Sequence, residues 1–599
     1  MEKIISSHSK YDSQSLGQIV DVFIDARVAR DFGGANVVKN IRDYSLELDD
    51  PSRTFFTFDC NPTGSDQKYA VNQHICRLYA RENGIKVYDI DAGIGTHILI
   101  DRGHTYPGST AVSTDSHANI LGAVGAFGQG MGDMDIASAW NRGKVWFKVP
   151  ESVKINLEGR IPAGVSAKDI VLNLLNIFGA NSLLGYSIEM YGDDIDRLTL
   201  DDRITISSMA TEMGAIILIF PPSQEIIDYC SEKAGRRVEP VYADQDAIYK
   251  ETYNIDATKF VTMISRPGKP HDAVDLKGVS GVKIDSAFIG SCTNGRIDDM
   301  RSVAEILKNR KVAPGVVLKI VPATDEVWNQ CLSEGLIEIF KNAGALVSNA
   351  GCAGCAAGQV GQNGQGEITI STGNRNFPGK QGKGSVYLAS PRVVAASAVA
   401  GQITDPEQIP EMPVLFETIS SANAGTPVPR KNEKESPDVV EGRCWIINRD
   451  NIDTDMIFHN RYLSITEIRE MGQYTFDNLE GYEDFASKAM KGDIVITGKN
   501  FGSGSSRQQA VDCFVSLGIQ AIIAESFGAI YENAINAAFP VLVAGKLDEA
   551  GIENGDMIRL DFTSGIITNI RNGGRLSEPF SDVQLEIYRR ESSFNRPGN

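Results

Sequence analysis

Residues Val282–Val321 read VKIDSAFIGSCTNGRIDDMRSVAEILKNRKVAPGVVLKIV and decide the fold class. The run Val282–Ile289 predicts a strand, and the loop Gly290–Arg296 follows it. Apolar residues then recur at helical spacing as far as Leu307, and Val316–Val321 predicts the next strand. A strand, a crossover helix and a second strand most simply form a parallel pair, so this stretch predicts an α/β protein.

The same alternation extends across most of the chain. Short β-branched runs, helical patterns and glycine-rich turns alternate from about residue 17 to residue 400, with a helical stretch predicted from Asp325 to about Ala343. Between residues 405 and 441 the pattern gives way to Pro, Glu, Ser and Lys, which is typical of a linker. We therefore expect a first region over 1–404, a linker over 405–441 and a second domain over 442–599.

The second domain has its own α/β pattern. Residues Gly492–Gly498 predict a strand, and Arg507–Leu517 predict a helix that Gly518 closes. The run Ile519–Ala524 predicts the following strand. This domain is therefore expected to contain a strand–helix–strand unit of the same kind as the first region.

The composition argues against several classes of protein. The 599 residues carry a formal net charge of −19, and 42% of them are hydrophobic, which is ample for packed cores. No apolar run is long enough to cross a bilayer, so we expect no membrane partner. Because nucleic-acid affinity depends on Lys and Arg contacts to phosphates, the acidic charge argues against a nucleic-acid partner. Residues Met1–Gln14 resemble neither a secretory signal nor a transit peptide, and we expect a cytoplasmic protein.

The cysteines point to a metal site. Nine cysteines are too sparse for a disulfide framework, but Cys292 lies in GSCTN, and Cys352 and Cys355 lie in GCAGC. A CxxC motif brings two thiolates within reach of one ion or cluster. Since no fourth cysteine or histidine is near in sequence, three thiolates on a cubane cluster would leave one iron open as a Lewis acid. A redox pair at Cys352 and Cys355, or a buried structural thiol at Cys292, are the alternatives.

Two histidines are candidates for acid–base chemistry. Asp115-Ser116-His117 precedes a glycine-rich stretch, and His97 lies upstream of it. An imidazole beside a carboxylate can titrate near neutral pH and can be oriented for proton transfer. Either histidine taken singly also fits a purely structural role.

Two further polar clusters could bind anions. Asn374-Arg375-Asn376-Phe377 with Lys380 forms one, and Gly502–Arg507 forms the other, between a predicted strand and a predicted helix. The amides of a helix N-terminus together with an arginine would stabilise a carboxylate or a serine alkoxide. A serine-capped helix after a flexible turn is the alternative. Neither a GxSxG nor a Walker A motif is present, so serine hydrolase and nucleotide-binding functions lack support.

Together these motifs resemble the aconitase superfamily, and within it the isopropylmalate dehydratase and homoaconitase branches with large and small subunits fused in one chain. The resemblance covers nearly the whole length and rests on motifs at Ser113–His117, Met209–Ala215, Phe288–Asn294, Gly351–Cys355, Asn374–Gly379, Asn451–Asp455, Asn500–Arg507 and Ala524–Phe527. It implies three α/β domains around a [4Fe-4S] cluster and a C-terminal swivel α/β domain that closes the cleft.

The resemblance also implies a role for each matching residue. Cys292, Cys352 and Cys355 would hold the cluster, and Ser505 would remove the proton α to a carboxylate. The other implied catalytic residues are His97, Asp115, His117, Glu212 and Asp59. The implied substrate-binding residues are Arg375, Lys380, Ser506, Arg507, Arg461 and Ser464.

The chain departs from the family pattern at several positions. Cys60 stands where the family usually has histidine, Ser208 where it has asparagine, and Gln508 where it has glutamate. Lys380 replaces an arginine, so a point charge replaces a bidentate fork. Ser464 matches neither the arginine that suits an extra carboxylate nor the apolar residue that suits an isopropyl group. A short or polar substituent on the substrate is the resulting hypothesis.

The expected function is that of a hydro-lyase or isomerase. It would reversibly dehydrate a small hydroxy di- or tricarboxylic acid, with rehydration in the other regiochemistry as a further step, and would act as a monomer or a small homo-oligomer. A catalytically altered binding or regulatory protein, related to cluster-free RNA-binding relatives, is one alternative. A structural zinc protein that uses the same thiols is another.

Overall fold

The computed structural model describes residues 1–10, 16–62, 67–353, 360–414, 436–505, 507–528, 531, 534, 537–545, 551–577 and 581–589. Cys355, Ser506 and residues 415–435 of the predicted linker lie outside these ranges. The chain divides into two compact units, Met1–Thr418 and Ile419–Asn599. Within the described ranges, no helix is both long and apolar enough to span a membrane.

The first sheet of the first unit has five parallel strands in the order β4-β3-β2-β5-β6. A separate antiparallel pair joins β1 to β7. The strands are β1 (Ile19–Phe23), β2 (Ala26–Arg30), β3 (Thr54–Thr57), β4 (Lys86–Tyr88), β5 (Thr110–Ser113), β6 (Phe127–Gly130) and β7 (Lys144–Lys148). The helices are α1 (Glu2–Ser7), α2 (Gly34–Asp43), α3 (Gln67–Asn83), α4 (Gly95–Asp101) and α5 (Asp133–Arg142).

The second sheet has four parallel strands in the order β10-β9-β8-β11. They are β8 (Ser152–Glu158), β9 (Ser187–Gly192), β10 (Ile217–Ile219) and β11 (Thr252–Asp256). The accompanying helices are α6 (Ala167–Phe178), α7 (Leu200–Ser208) and α8 (Gln224–Ala234). Ser166 and Asp169 cap α6 reciprocally, since each side chain bonds the other residue's backbone N–H.

The third sheet has seven strands in the order β13-β12-β18-β17-β14-β15-β16, and its last five strands are parallel. They are β12 (Met263–Ser265), β13 (Ala273–Asp275), β14 (Ser286–Ile289), β15 (Val317–Ile320), β16 (Leu346–Val347), β17 (Ile368–Ser371) and β18 (Ser385–Leu388). The helices are α9 (Ile297–Leu307), α10 (Asp325–Ser333), α11 (Leu336–Ala343) and α12 (Pro391–Ala400).

The deciding stretch folds as its pattern predicts. The helical stretch that follows it contains a break that the pattern did not predict. Strands β14 and β15 pair in parallel, and the α9 side chains Met300, Val303 and Leu307 are buried. The helical stretch predicted from Asp325 to about Ala343 is present as two helices, since α10 ends at Ser333 and α11 begins at Leu336. Gly335 has a φ of 74° between them, a left-handed conformation that interrupts a helix and that glycine adopts without a Cβ penalty.

The second unit has a seven-stranded mixed sheet in the order β22-β21-β20-β19-β23-β24-β25. Its strands are β19 (Val439–Ile447), β20 (Ile494–Thr497), β21 (Ala521–Ala524), β22 (Val541–Val543), β23 (Met557–Asp561), β24 (Ile566–Asn569) and β25 (Arg575–Ser577). Its helices are α13 (Thr454–Ile457), α14 (Phe485–Lys488), α15 (Gln509–Leu517) and α16 (Asp582–Arg589). The predicted unit is present, since β20 and β21 pair in parallel and Gly518 caps α15 with a φ of 77°. The α/β class is therefore confirmed.

One buried ion-pair network ties the three sheets of the first unit together. Arg296 lies just before α9, and its Nε donates to Asp201 Oδ1 of α7 at 2.9 Å. Its Nη1 donates to both oxygens of Asp101, at the end of α4, at 2.9 and 2.8 Å. Burial would raise the pKa of Asp101, but Arg296 outweighs it and lowers that pKa. One guanidinium group thus joins an element from each sheet.

We predict that Arg296→Met destabilises the first unit by about 3–5 kcal/mol, because two carboxylates are then buried without their cation. Arg301 provides the matched control on the same helix, since its ion pairs with Asp298 and Glu334 are largely exposed. Arg301→Met should cost less than about 1 kcal/mol. Urea unfolding followed by circular dichroism measures both effects, and equal losses would contradict the account.

Candidate active site

The carboxyl ends of two parallel sheets supply most of the candidate residues. In the first sheet the strand order reverses between β2 and β5, and in the third it reverses between β14 and β17. Ligands of open α/β sheets bind in the crevice at such reversal points. Asp115 follows β5 by two residues, whereas Cys292 and Asn374 each follow their strands, β14 and β17, by three.

Arg30 organises the carboxylates of the first sheet. It is the last residue of β2 and is buried, and its Nε donates to Asp59 Oδ1 at 2.7 Å. Its Nη1 lies 3.3 Å from Asp115 Oδ1. Burial would lower the pKa of Arg30, but Asp115 and Asp59 raise it well above its usual range. One permanent cation therefore lies between two predicted catalytic carboxylates.

The two carboxylates respond differently to this environment. Burial raises the pKa of Asp59 to about 6, although Arg30 opposes it and Gly95 N–H donates to Oδ2 at 2.9 Å. For Asp115, burial is outweighed by Arg30 and then by His117, so its pKa is lowered. Asp115 Oδ2 is buried and has no hydrogen-bond partner in the part of the chain that the structure describes. That oxygen can accept a hydrogen bond from a ligand.

The residue after Asp59 changes the surroundings of this carboxylate. Cys60 is buried, its Sγ lies 3.5 Å from Asp59 Oδ1, and its backbone N–H donates to Asp31 Oδ1 at 3.0 Å. Burial raises the pKa of the Cys60 thiol well above its usual range. Cys60 therefore contributes a neutral thiol, and not an ionisable imidazole, next to Asp59.

His97 contacts a cysteine loop directly. It lies on α4 and is fully buried, and its Nε2 is 3.0 Å from the carbonyl oxygen of Cys292. Burial, together with the charge of Arg296, lowers the pKa of His97 to about 4. Since a carbonyl can only accept, Nε2 carries the proton of the neutral ring. Nδ1 is buried without a partner among the described residues and presents a lone pair.

His117, Glu212 and Arg375 form a second set of contacts. His117 Nε2 lies 3.3 Å from Glu212 Oε1, and Arg375 Nε donates to the same oxygen at 2.6 Å. Burial would raise the pKa of Glu212, but His117 and Arg375 outweigh it and lower that pKa. Arg375 Nη1 also lies 3.4 Å from Ser116 Oγ. Residues from all three sheets of the first unit thus meet here.

A cavity of about 370 Å³ opens beside these residues. Thr114, Ser116, Asn119 and Thr211 are among the residues that line it. This volume lies within the range of small-molecule sites. Since Ser116 contacts Arg375, the cavity could present a ligand carboxylate to a guanidinium group.

Two of the three predicted cluster ligands lie together. Cys292 and Cys352 are buried and pack in one small apolar cluster with Ile94 and Ala323. Cys292 Sγ lies 3.3 Å from Asn374 Oδ1. The Cys352 N–H donates to the Asp59 carbonyl at 2.9 Å, which joins this loop to the first sheet. Cys355, the third predicted ligand, lies outside the described residues.

Both cysteine loops contain strained backbone. Ser291 has a φ of 82° immediately before Cys292, and Ala353 has a φ of 46° immediately after Cys352. Residues with a Cβ rarely adopt such angles, and the cost is about 1–3 kcal/mol each. Strain of this kind often accompanies functional sites, and here it sets the direction in which each loop leaves its cysteine.

In the second unit, the predicted residues already have partners of their own. The Arg507 guanidinium pairs with both oxygens of Asp455, at 2.5 and 2.8 Å, and Arg461 pairs with Asp477. Ser505 is exposed, and its carbonyl accepts from Thr454 Oγ1 at 3.0 Å. A carboxylate that binds either arginine must share it with an aspartate.

For three of the predicted substrate-binding residues, the structure gives at most the degree of burial. Ser464 is exposed in the second unit, and Lys380 is half-buried in the first unit. Ser506 lies outside the described residues. The substrate-binding roles of these three residues stay predictions.

Sequence reasoning did not single out two buried cations. Arg30 ends β2, where Arg27 is also charged, so no signal in the sequence singles it out. Lys168 lies in the first turn of α6 and is fully buried. Its Nζ donates to the carbonyls of Thr372 and Gly373 at 3.1 and 2.8 Å, just before Asn374. Only the folded contacts reveal this residue.

Comparison with known proteins identifies the family. The aconitase family (aconitate hydratase) matches residues 2–401, and the aconitase C-terminal domain matches residues 440–542. The chain belongs to the aconitase family. It is an aconitase-family hydro-lyase, and members of this family typically bind an iron–sulfur cluster.

Three relatives illustrate the match. The 3-isopropylmalate dehydratase large subunit 1 of Methanopyrus kandleri is 37% identical over 409 residues, which are 68% of this chain and 98% of that protein. The mitochondrial homoaconitase of Debaryomyces hansenii is 32% identical and covers 87% of this chain and 82% of its own length. The mitochondrial homoaconitase of Candida albicans is 34% identical, with coverages of 82% and 79%. The chain therefore extends beyond a large subunit alone.

We predict that Arg30→Met lowers kcat/KM of the hydro-lyase by about 100-fold or more, because Asp59 and Asp115 lose their common cation. Arg27 is the matched control, since it is buried on the same strand and pairs with Asp49. Both variants should unfold at lower urea concentration, but Arg27→Met should keep kcat/KM within about threefold. Parallel losses of activity in the two variants would contradict a specific role for Arg30.

Proposed function

We propose that this chain reversibly dehydrates a hydroxy di- or tricarboxylic acid, using a [4Fe-4S] cluster held by Cys292, Cys352 and Cys355. The observation that carries the proposal is that Cys292 and Cys352 pack in one buried apolar cluster, and that His97 contacts the Cys292 carbonyl. The names of the relatives, a dehydratase and homoaconitases, support the same class of reaction. Rehydration in the other regiochemistry, which would make the enzyme an isomerase, is part of the proposal.

The residues that the structure describes are suited to such a cluster. Thiolates are the ligands that iron–sulfur clusters require, and Cys292 and Cys352 pack in one buried cluster with Ile94 and Ala323. Asn374 Nδ2 is buried without a partner in the described residues, although Asn374 Oδ1 contacts Cys292 Sγ. An amide N–H at that position can donate to a cluster sulfur, and such hydrogen bonds tune cluster potentials. When bound, the cluster would supply a Lewis acid that polarises the departing hydroxyl.

Proton transfer to the departing hydroxyl is assigned to residues of the first unit. Three acceptor atoms, His97 Nδ1, Asp115 Oδ2 and Glu212 Oε2, are buried and have no partner within the described ranges. A buried polar atom without a hydrogen bond destabilises the protein, so a substrate that donates a hydrogen bond to one of these atoms binds more tightly. The lowered pKa of Glu212 favours its ionised form, which can accept a hydrogen bond from His117 Nε2 at 3.3 Å. These contacts support a relay at the hydroxyl group.

Carboxylate binding is proposed for Arg375 and, separately, for Arg507. Arg375 donates to Glu212, and a guanidinium group has the geometry for a bidentate contact to a carboxylate. Arg507 is proposed to bind a second carboxylate while Asp455 holds its orientation. Ser505 is proposed to remove the proton α to that carboxylate, whose developing charge the arginines stabilise. Lys380 and Ser506 are proposed to complete the binding site.

The substrate is proposed to carry a short or polar substituent. Ser464 is exposed in the loop that follows the Asn451–Asp455 motif, and a hydroxyl there suits neither a branched apolar group nor a long acidic chain. Arg461, in the same loop, already pairs with Asp477, so an extra carboxylate of the substrate would compete with this aspartate. These two observations favour a compact hydroxy acid.

The direct test is a screen of small hydroxy-dicarboxylates with anaerobically reconstituted protein. We expect a brown protein that forms an enoate, detected by its ultraviolet absorbance, and that loses activity on oxidation. Efficient turnover of both isopropylmalate and homoaconitate would contradict the substrate assignment. A colourless protein with stoichiometric zinc, or one that only retains RNA after iron removal, would contradict the enzymatic proposal.

A further inference from the structure

Lys168 is a buried cation that the proposed chemistry does not yet use. Its side chain is 0% exposed in the first turn of α6, and its Nζ donates to Thr372 O at 3.1 Å and Gly373 O at 2.8 Å. The Met209 Sδ lies 3.9 Å from the same nitrogen. The two strong acceptors are main-chain carbonyls of a different sheet's loop.

This placement is energetically unfavourable for a lysine. Burial lowers the pKa of Lys168 to about 7, which reflects the cost of keeping an ammonium group away from water. The positive end of the helix dipole at the α6 N-terminus opposes a cation as well. A methionine or leucine would fill a similar volume without either cost. Packing alone therefore does not account for a lysine at this position.

The two carbonyls lie directly upstream of two site residues. They belong to the consecutive peptide groups 372–373 and 373–374, so the ammonium group fixes both peptide planes before Asn374 and Arg375. Asn374 Oδ1 then lies 3.3 Å from Cys292 Sγ, and Arg375 Nε donates to Glu212 Oε1 at 2.6 Å. The orientation of two functional side chains thus depends on where these planes point.

A second anchor holds the start of the same turn. Thr372 Oγ1 accepts from the Gly290 N–H at 2.9 Å and donates to the Gly290 carbonyl at 2.9 Å. This anchor fixes the turn against the Cys292 loop, and the Gly373 N–H donates to Ser371 Oγ at 3.0 Å, but none of these bonds holds the Thr372 or Gly373 carbonyl. Lys168 supplies the missing constraint from the opposite side, by way of the second sheet.

We propose that Lys168 is a positioning residue, whose ammonium group holds the Thr372 and Gly373 carbonyls so that Asn374 meets Cys292 and Arg375 meets Glu212. The inference rests on the proposed function for the roles of Asn374 and Arg375. The contact of the ammonium group with the two carbonyls, called the Lys168 contact below, does not depend on that function. It makes α6, which carries no other assigned site residue, part of the carboxylate-binding apparatus.

Hydrogen–deuterium exchange of the apo-protein tests the Lys168 contact without an activity measurement. In Lys168→Met the amides of residues 372–376 should exchange about tenfold faster than in the parent protein. Lys319→Met is the matched control, because Lys319 also donates to a backbone carbonyl, that of Gln362, at 3.1 Å. It should leave this segment unchanged. Unchanged exchange in Lys168→Met would overturn the proposal even if the enzyme's function is right.

The consequence for the site is tested on the reconstituted enzyme. Lys168→Met should raise KM for the hydroxy acid about tenfold and lower kcat less, because Arg375 loses its orientation. In the Arg375→Lys background the same substitution should add less than about twofold, since the residue it positions has already been altered. Additive losses would show a general structural role and would contradict the proposal.

A further variant keeps the test decisive if Lys168→Met does not fold. Lys168→Gln removes the charge but keeps an N–H donor, so exchange at residues 372–376 and KM should both lie between the parent values and those of a full loss. Parent-like exchange together with parent-like KM in Lys168→Gln would contradict the proposal. Absence of activity in every variant and in the parent would refute the proposed function. The exchange result would then decide alone whether the Lys168 contact orders residues 372–376.

Discussion

Two hydrogen bonds between loops of different sheets define the candidate site. His97 Nε2 donates to the Cys292 carbonyl, and the Cys352 N–H donates to the Asp59 carbonyl, so the first and third sheets meet at their carboxyl ends. Neither bond uses the atoms that the chemistry needs. They leave the two cysteines in one buried apolar cluster and His97 Nδ1 without a partner among the described residues.

Charge in this region is balanced by buried pairs. Arg30 lies between Asp59 and Asp115, Arg375 pairs with Glu212, and Arg296 holds Asp101, one helical turn from His97. Each pair costs desolvation and is a poor source of stability by itself. Each one fixes a group whose position would otherwise vary. The first unit therefore uses its buried charges to set geometry, and Lys168 extends the same principle to the backbone.

The sequence pattern was sufficient where local physics decides the outcome. Periodicity predicted β14, α9 and β15, and the loop predicted at Gly290–Arg296 contains Cys292. The break at Gly335 was missed because helical periodicity continues across it. The contacts of Arg30 and Lys168 could not be predicted, since each depends on partners far along the chain. The ion pairs of Arg507 and Arg461 are also tertiary, although their partners belong to the same unit.

The central claim is that Cys292 and Cys352 belong to a site that holds four irons and leaves one of them open to the hydroxy acid. Mössbauer spectroscopy of protein reconstituted with ⁵⁷Fe measures this directly, with and without a small hydroxy-dicarboxylate. One quarter of the iron signal should change on addition of the acid, and Cys292→Ser should abolish the cluster spectrum. A spectrum in which all irons stay equivalent and indifferent to the acid would contradict the account.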